Sequence, residues 1–147
     1  MAEAFETASI AEPNDELRAL VAMAREEGFG FMDRLLAHWE DGTNRFDRPG
    51  EGYFVVRFQG RLVAAGGLNR DPYCSEASVG RVRHVYVLPD ARRTGAGTAL
   101  MEAIICSAGL AFELLRLRTT TERGAMFYEA LGFTRSDAPD ASHVLKL

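Results

Sequence analysis

The sequence lacks the features that mark secreted, membrane and nucleic-acid-binding proteins. Its 147 residues include only two cysteines, which argues against a disulfide framework and favours a cytoplasmic location. No stretch approaches the roughly 18 apolar residues of a membrane-spanning helix, and the first residues lack the basic start and apolar core of a signal peptide. The net charge is −4 and no long basic run is present, so we expect neither a membrane nor a nucleic acid as partner.

What is present is the composition of an ordinary globular protein, with 47% apolar and 26% charged residues. A chain of this length can bury a core of its own, so we expect a single domain over residues 1–147. Cys106 lies in an apolar, helix-like run and is expected to be a small buried hydrophobe. Cys74 lies in a polar loop, and no matching Cys/His/Asn pattern makes it a nucleophile.

Hydrophobic periodicity predicts an α/β (α+β) layout around one sheet. After an early strand, Asn14 and Asp15 can cap a first helix whose apolar residues have helical spacing. A second helix covers residues 29–39, and residues 41–52 are rich in turn formers. The later elements are strands at 53–58, 61–68 and 81–88, a helix at 97–112, a strand at 114–119, a helix at 122–131, and strands at 133–136 and 142–147.

The most informative segment is Arg-Arg-Thr-Gly-Ala-Gly at residues 92–97, between a strand that ends at Pro89 and a helix. The first N–H groups of a helix have no partner within it, and the helix dipole adds positive charge there. Glycines allow an anion to approach closely, and arginines add bidentate donors. The segment therefore predicts a phosphate or pyrophosphate site.

Two well-known phosphate loops do not fit this segment. A Walker loop needs a lysine after the last glycine, whereas Gly97 is followed by Thr98. A dinucleotide fingerprint needs a third small residue at the position of Leu100. The segment, with Val-Tyr-Val-Leu-Pro-Asp before it, instead resembles the acetyl-CoA pyrophosphate loop of the GNAT superfamily of N-acetyltransferases.

A second segment resembles the same superfamily independently. Residues 127–133 read Phe-Tyr-Glu-Ala-Leu-Gly-Phe, which is similar to the usual end of its late helix. The resemblance implies that Tyr128 points at the sulfur of CoA and can protonate the departing thiolate. Packing in the core is the alternative role for this tyrosine.

The resemblance implies a GNAT-like fold, a central mixed but mostly antiparallel sheet flanked by about four helices, and acetyl-CoA as cosubstrate. Tyr86 and Val87 would pair with the pantetheine arm, and the Val87 N–H would stabilise the oxyanion of a tetrahedral intermediate. Dimers are common in the family, which leaves a homodimer open. The loop would hold the pyrophosphate through backbone N–H groups, the charge of Arg92 or the hydroxyl of Thr98. The residues of this loop are Arg92, Arg93, Thr94, Gly95, Ala96, Gly97 and Thr98.

The sequence departs from the family pattern in two places. Thr121 stands where many members carry an asparagine that contacts the pantetheine arm, so a hydroxyl would replace part of that contact. Arg81 and Arg83 stand where members often carry a glutamate or histidine base, and an arginine cannot accept a proton. We therefore predict that these two arginines bind an anionic group on the acceptor, such as a carboxylate; pairing with acidic residues is the alternative.

The general base stays open. Strand alternation places His84 on the opposite face from Arg83, although a bulge would change this parity. Tyr73, Glu76, a water chain or the free-base fraction of the amine could serve instead. The three histidines show no ligand spacing, so no metal is expected.

We predict an N-acetyltransferase that transfers an acetyl group from acetyl-CoA to the amine of a small molecule, directly and in a ternary complex. Two other functions remain open. One is a non-catalytic, acyl-CoA-binding regulatory domain, which the missing strand base favours. The other is a peptide or protein N-acetyltransferase, whose acceptor groove should be open.

Overall fold

The computed structural model describes residues 4–147, in which a seven-stranded sheet is flanked by four α-helices. In chain order the elements are β1 (Glu6–Ile10), α1 (Asp15–Glu26), α2 (Phe31–Asp41), β2 (Gly52–Phe58), β3 (Arg61–Arg70), β4 (Val79–Val87), a 3-10 turn (Pro89–Ala91), α3 (Ala96–Ala108), β5 (Leu114–Leu117), α4 (Glu122–Ala130), β6 (Thr134–Arg135) and β7 (His143–Lys146). The predicted fold class is confirmed, as a mixed and mostly antiparallel sheet.

Capping side chains begin two of the helices. Asn14 Oδ1 accepts a hydrogen bond from Leu17 N at 2.9 Å at the start of α1, as its sequence position predicts. Thr121 caps α4 in the same way, through a 3.0 Å hydrogen bond from Gly124 N. Both helices therefore start at fixed points beside the sheet.

The sheet opens between β4 and β5. Its strand order is β1-β2-β3-β4-β5-β7-β6, and β4 and β5 are its parallel neighbours. Their pairing covers only Val79 to Arg81 on β4 and Leu114 to Arg116 on β5. Within residues 4–147 the rest of β4 has no strand on this side, so its last residues border a gap.

A bulge in β4 overturns the simple alternation expected there. The register with β3 shifts between Ala65 and Gly67, and His84 has a φ of 54°. Side chains 83, 84 and 86 consequently face α1 and α2, whereas Val85 faces α3. The prediction that His84 faces away from Arg83 is wrong, because the bulge adds one residue to this stretch of the strand.

Helix α3 lies against the other face of the sheet. The position of Cys106 on this helix corrects the prediction for that residue. This cysteine is exposed, not buried. It follows the buried Ile104 by two residues, which places it about 200° around the helix. The buried side of α3 is formed by Ala96, Leu100, Met101, Ile104 and Ala108.

No helix in residues 4–147 is both long enough and apolar enough to cross a membrane.

Candidate active site

The predicted anion loop joins the 3-10 turn to α3. Gly95 is the N-cap of α3 with a φ of 99°, and Arg93 also has a positive φ of 63°. The first i to i−4 hydrogen bond runs from Ala99 N to Gly95 O at 2.9 Å. The N–H groups of the three preceding helical residues therefore have no acceptor within the helix. Such a row of amides at a helix N-terminus binds phosphate oxygens.

Gly97 keeps the loop close to the neighbouring elements. A Cβ at this position would lie 3.2 Å from the Phe127 ring of α4 and 3.5 Å from a Val87 methyl group. The start of α3, the end of β4 and α4 therefore meet at one place. The open amides, the adjacent β4 edge and the exposed Arg93, which has no ion pair within residues 4–147, fit a diphosphate followed by an extended arm.

Arg92 acts inside the protein. Its Nε donates to Val87 O at 3.1 Å, and its two terminal nitrogens contact the Glu27 carboxylate at 2.6 and 3.0 Å. The Tyr86 hydroxyl donates to the same carboxylate, and the Arg92 guanidinium lies 5.6 Å from the Tyr86 ring. The hydrogen bonds from Arg92 and Tyr86 lower the pKa of Glu27. Arg92 therefore connects the end of β4 to Glu27, which neutralises its charge.

The backbone of β4 presents N–H groups at the gap. Leu88 N donates to Val63 O at 2.9 Å, so the Leu88 backbone points at β3. The Val87 N–H and C=O, one residue earlier, therefore point away from β3 and toward the gap. Tyr86 is directed at β3 again, and Val85 at the gap. An extended arm along this edge would meet Val85 and Val87, which corrects the part predicted for the Tyr86 backbone.

Tyr128 lies on α4 between Phe127 and Phe133, whose rings are 5.0 and 5.6 Å away. Burial raises the pKa of its hydroxyl well above the ordinary value, so the group stays protonated. Its hydroxyl forms no hydrogen bond with any group in residues 4–147. Tyr128 therefore keeps an unused O–H donor on the helix whose Phe127 lies beside Gly97, as Val87 does.

Thr94 and Thr121 are engaged in local hydrogen bonds. The Thr94 hydroxyl donates to Ala91 O and closes the turn before α3. The Thr121 hydroxyl oxygen accepts from Gly124 N, which leaves its hydrogen free to donate. The exposed Thr98 lies in the first turn of α3.

The two strand arginines have different environments. Arg81 is 6% exposed, with Nη2 2.7 Å from Asp140 O and Nη1 3.5 Å from the Asp71 carboxylate. Tyr73 covers its guanidinium at 4.7 Å, and Arg116 also pairs with Asp71. Arg81 therefore belongs to a buried ion-pair cluster that holds loops together, and the predicted contact with an acceptor does not extend to it.

Arg83 is half-buried and forms neither an ion pair nor a hydrogen bond with the described residues. Burial lowers the pKa of its guanidinium, which nevertheless stays charged. Its side chain lines a cleft of about 460 Å³ together with His38 of α2, the loop after α2 and Tyr73 and Cys74 of the loop after β3. Arg83 is two residues beyond Arg81, the last β4 residue that pairs with β5, so the cleft begins beside the gap.

His84 is not suited to be the base. Its ring stacks on Phe31 at 6.5 Å and meets Phe46 at 6.4 Å. Burial, with a smaller contribution from Arg83, lowers the pKa of His84 to about 3. It is therefore neutral at physiological pH and part of the packing under α2. No group of three or more His, Cys, Asp or Glu side chains that could hold a metal occurs in residues 4–147.

Sequence reasoning missed several residues of this site. Glu27 contacts Arg92 across 65 positions of the chain, and no local pattern marks such a pair. Asn44 and Asn69 line the cleft beside Arg83. Asn69 follows a run of small and apolar residues on β3, where a polar residue that faces the core was the available signal.

Comparisons with known proteins agree with this geometry. A family model described as an acetyltransferase (GNAT) domain matches residues 49–135. An uncharacterized N-acetyltransferase, YjgM, of Escherichia coli (strain K12) is 30% identical over 133 residues, which cover 88% of this chain and 77% of that protein. The chain belongs to the GNAT acetyltransferase family. It is thus an acyltransferase, and acetyl-CoA is the acyl donor that this family uses.

Solved structures show the same fold. A protein of Exiguobacterium sp. 255-15, assigned as an acetyltransferase, has a TM-score of 0.85 at 32% identity, over 97% of this chain and 93% of that one. YncA of Salmonella typhimurium, solved with its cofactor acetyl-CoA, has a TM-score of 0.67 at 15% identity, over 98% and 94%. The second likeness concerns the fold alone.

Proposed function

We propose that this protein transfers the acetyl group of acetyl-CoA to the amine of a small molecule that carries a carboxylate. The observation that carries the proposal is the half-buried guanidinium of Arg83 in the cleft beside the strand gap, which has neither an ion pair nor a hydrogen bond among the described residues 4–147. A desolvated charge without a partner is costly, and a carboxylate is the ligand that matches the fork of an arginine.

The size and position of the cleft support a small acceptor. A volume of about 460 Å³ lies in the range of small-molecule sites. Arg83 is two residues before Val85 and four before Val87, the residues whose N–H groups point into the gap. An anion held at Arg83 would leave the amine of a short acceptor near the thioester, where proximity lowers the barrier to direct transfer in a ternary complex.

Two groups of the chain can assist the reaction. The Val87 N–H, with Val85 as the neighbouring donor, would hydrogen bond to the thioester oxygen as negative charge develops on it. The Tyr128 hydroxyl would donate a proton to the leaving sulfur. Arg81 and Arg83 occupy the strand positions where members of the family often carry a base. We therefore infer that the acceptor amine reacts from its free-base fraction.

The test is a release assay for the CoA thiol at fixed pH. L-amino acids are compared with their α-amides and with the amines that lack the carboxyl group. We expect turnover of the carboxylates at least tenfold above both analogues. The α-amides have less basic amines, so more of each is in the reactive free-base form and this bias works against the expected result. Exclusive turnover of polycationic amines would contradict the carboxylate, and acetyl-CoA binding without turnover in any arm would favour a sensor.

A further inference from the structure

Two asparagines in the acceptor cleft have amide atoms without partners. Asn69 is 5% exposed, and its Oδ1 is buried without any hydrogen bond from residues 4–147. Asn44 accepts a hydrogen bond from Phe46 N at its Oδ1, at 3.1 Å, while its buried Nδ2 has no partner in the same range. Both side chains line the cleft that contains Arg83.

The sheet register places Asn69 deeper than Arg83. Gly67 of β3 is opposite Arg83, and Asn69, two residues further on, is opposite Arg81. Residues two apart on a strand share a face, so Asn69 points to the same side as Arg83. Arg81 is the last β4 residue paired with β5, so Asn69 lies further from the gap than Arg83 does.

Unpaired buried donors and acceptors cost free energy, and native proteins retain few of them. Here one cleft is lined by a residue with a buried acceptor, Asn69 Oδ1, and by a residue with a buried donor, Asn44 Nδ2, neither of which has a partner in residues 4–147. The ligand group that satisfies both must donate and accept, and a hydroxyl or a carboxamide does so.

We propose that Asn69 and Asn44 form a distal subsite that selects acceptors with a hydroxyl or carboxamide beyond the carboxylate held by Arg83. This subsite rests on the proposed function, since it names the substrate class of the same cleft. The favoured acceptors are amino acids with neutral, polar side chains.

The orientation of the Asn69 amide does not decide the inference. Rotation by 180° would exchange its oxygen for an NH₂ group and leave a buried donor without a partner. The Phe46 N–H fixes Asn44 with its NH₂ group free. A group that both donates and accepts satisfies either orientation of Asn69.

The test uses pairs of acceptors with nearly the same shape. L-threonine is compared with L-valine, and L-asparagine with L-leucine, by the kcat/KM of CoA release. We expect the wild-type protein to prefer the polar member of at least one pair by tenfold or more, because the apolar member leaves both asparagines unpaired. Equal values within both pairs would overturn the subsite.

Variants connect the preference to the two side chains. Asn69→Leu and Asn44→Ala should each bring the preference to within about threefold of unity. Thr43→Val is the matched control, because this threonine lines the same cleft but already hydrogen bonds to Asp41. The preference should survive in the control. Its survival in both asparagine variants would contradict the proposal.

Thermal unfolding supplies a readout that does not need turnover. Replacement of an unpaired buried amide by a leucine of similar shape should leave the Tm of Asn69→Leu unchanged or raise it. A lowered Tm would show that Asn69 is paired in the free protein, against the premise.

The same pairs without a carboxylate separate the two proposals. 1-Amino-2-propanol is compared with isobutylamine, which are the decarboxylated forms of threonine and valine. Loss of the carboxylate preference with the polar preference intact contradicts only the carboxylate proposal. Loss of the polar preference with the carboxylate preference intact contradicts only the subsite, and the absence of turnover in every arm contradicts both.

Discussion

The two sides of the active site use different groups to recognise their ligands. On the acyl-donor side, between the end of β4 and α3, the ligand would meet backbone N–H groups, and the charge of Arg92 is paired with Glu27. On the acceptor side, Arg83, Asn44 and Asn69 present side-chain groups without partners in the described residues. The first side offers mainly backbone N–H groups to its ligand, whereas the second offers side-chain groups.

This difference separates a donor side that depends on the backbone from an acceptor side that depends on particular side chains. A loop of amides at a helix N-terminus binds phosphate through the backbone and tolerates many side chains. Polar groups on the walls of a cleft determine which acceptor fits, because each unpaired group penalises a ligand that leaves it so. Substitutions on the two sides should therefore affect different substrates.

The largest expected effect breaks the donor side. Gly95→Val places a β-branched residue at a φ of 99°, which it cannot adopt without strain, so the amide row should shift. We expect the Kd of acetyl-CoA, measured by calorimetry, to rise about 100-fold. Gly42→Val strains the turn after α2 at a φ of 84°, on the acceptor side, and is the control. Equal affinities in both variants would remove the loop from donor binding.

Tyr128→Phe should give the next largest effect. It removes the only free O–H donor that we assign to the leaving sulfur, so kcat should fall about 100-fold. The Kd of acetyl-CoA should change less than twofold, because the ring and its aromatic contacts remain. Tyr73→Phe, in the acceptor cleft, should retain most of its kcat if no base is needed there. An unchanged kcat in Tyr128→Phe would rule out the acid role.

A smaller effect should follow when the contacts of Glu27 with Arg92 and Tyr86 are weakened. Glu27→Gln retains an oxygen for Tyr86 but weakens the grip on Arg92, whose Nε holds the Val87 carbonyl. Partly exposed ion pairs contribute about 1 kcal/mol, so kcat should fall about fivefold with little change in the KM of acetyl-CoA. Glu27→Asp should recover part of the loss. If the variant alters only the KM of acetyl-CoA, the contacts of Glu27 serve the binding of acetyl-CoA and not the positioning of the Val87 carbonyl.

His84 should have the smallest effect on activity. Its lowered pKa, about 3, means that no proton leaves it between pH 5 and 9, so His84→Asn should retain the pH profile of kcat/KM. Asparagine tolerates the positive φ at this position. As the pH falls below about 6.5, His84 binds a proton in the unfolded chain but not in the folded one. Acid should therefore destabilise the wild-type protein more than the variant. A profile that loses its acidic limb in His84→Asn would identify His84 as the base.

The strand, turn and helix of the donor side could be predicted from sequence because their determinants are local. The strand, the glycine-rich turn and the helix follow one another within about 15 residues, and Asn14 and Gly95 act through their nearest neighbours. The order of elements and the fold class followed from the same short-range patterns. Boundaries moved by a few residues, as where α3 ends at Ala108 before a glycine.

The acceptor side could not be predicted, because long-range contacts decide it. The bulge at His84 depends on register with β3, and it reverses which residues share a face. The hydrogen bond from Arg81 to Asp140 O joins residues that are 59 positions apart in sequence. Whether an arginine is paired or free is a property of the fold, so its sequence position cannot separate Arg81 from Arg83.

The division into two sides is tested most directly by the initial rates of Arg83→Gln, measured while both substrates are varied. We expect the KM of a carboxylate-bearing amine to rise at least tenfold and the KM of acetyl-CoA to stay within twofold of the wild-type value. Arg18→Gln, which changes an exposed arginine on α1, should leave both constants unchanged. A rise in the KM of acetyl-CoA with no change for the amine would contradict the account, because Arg83 would then serve the donor.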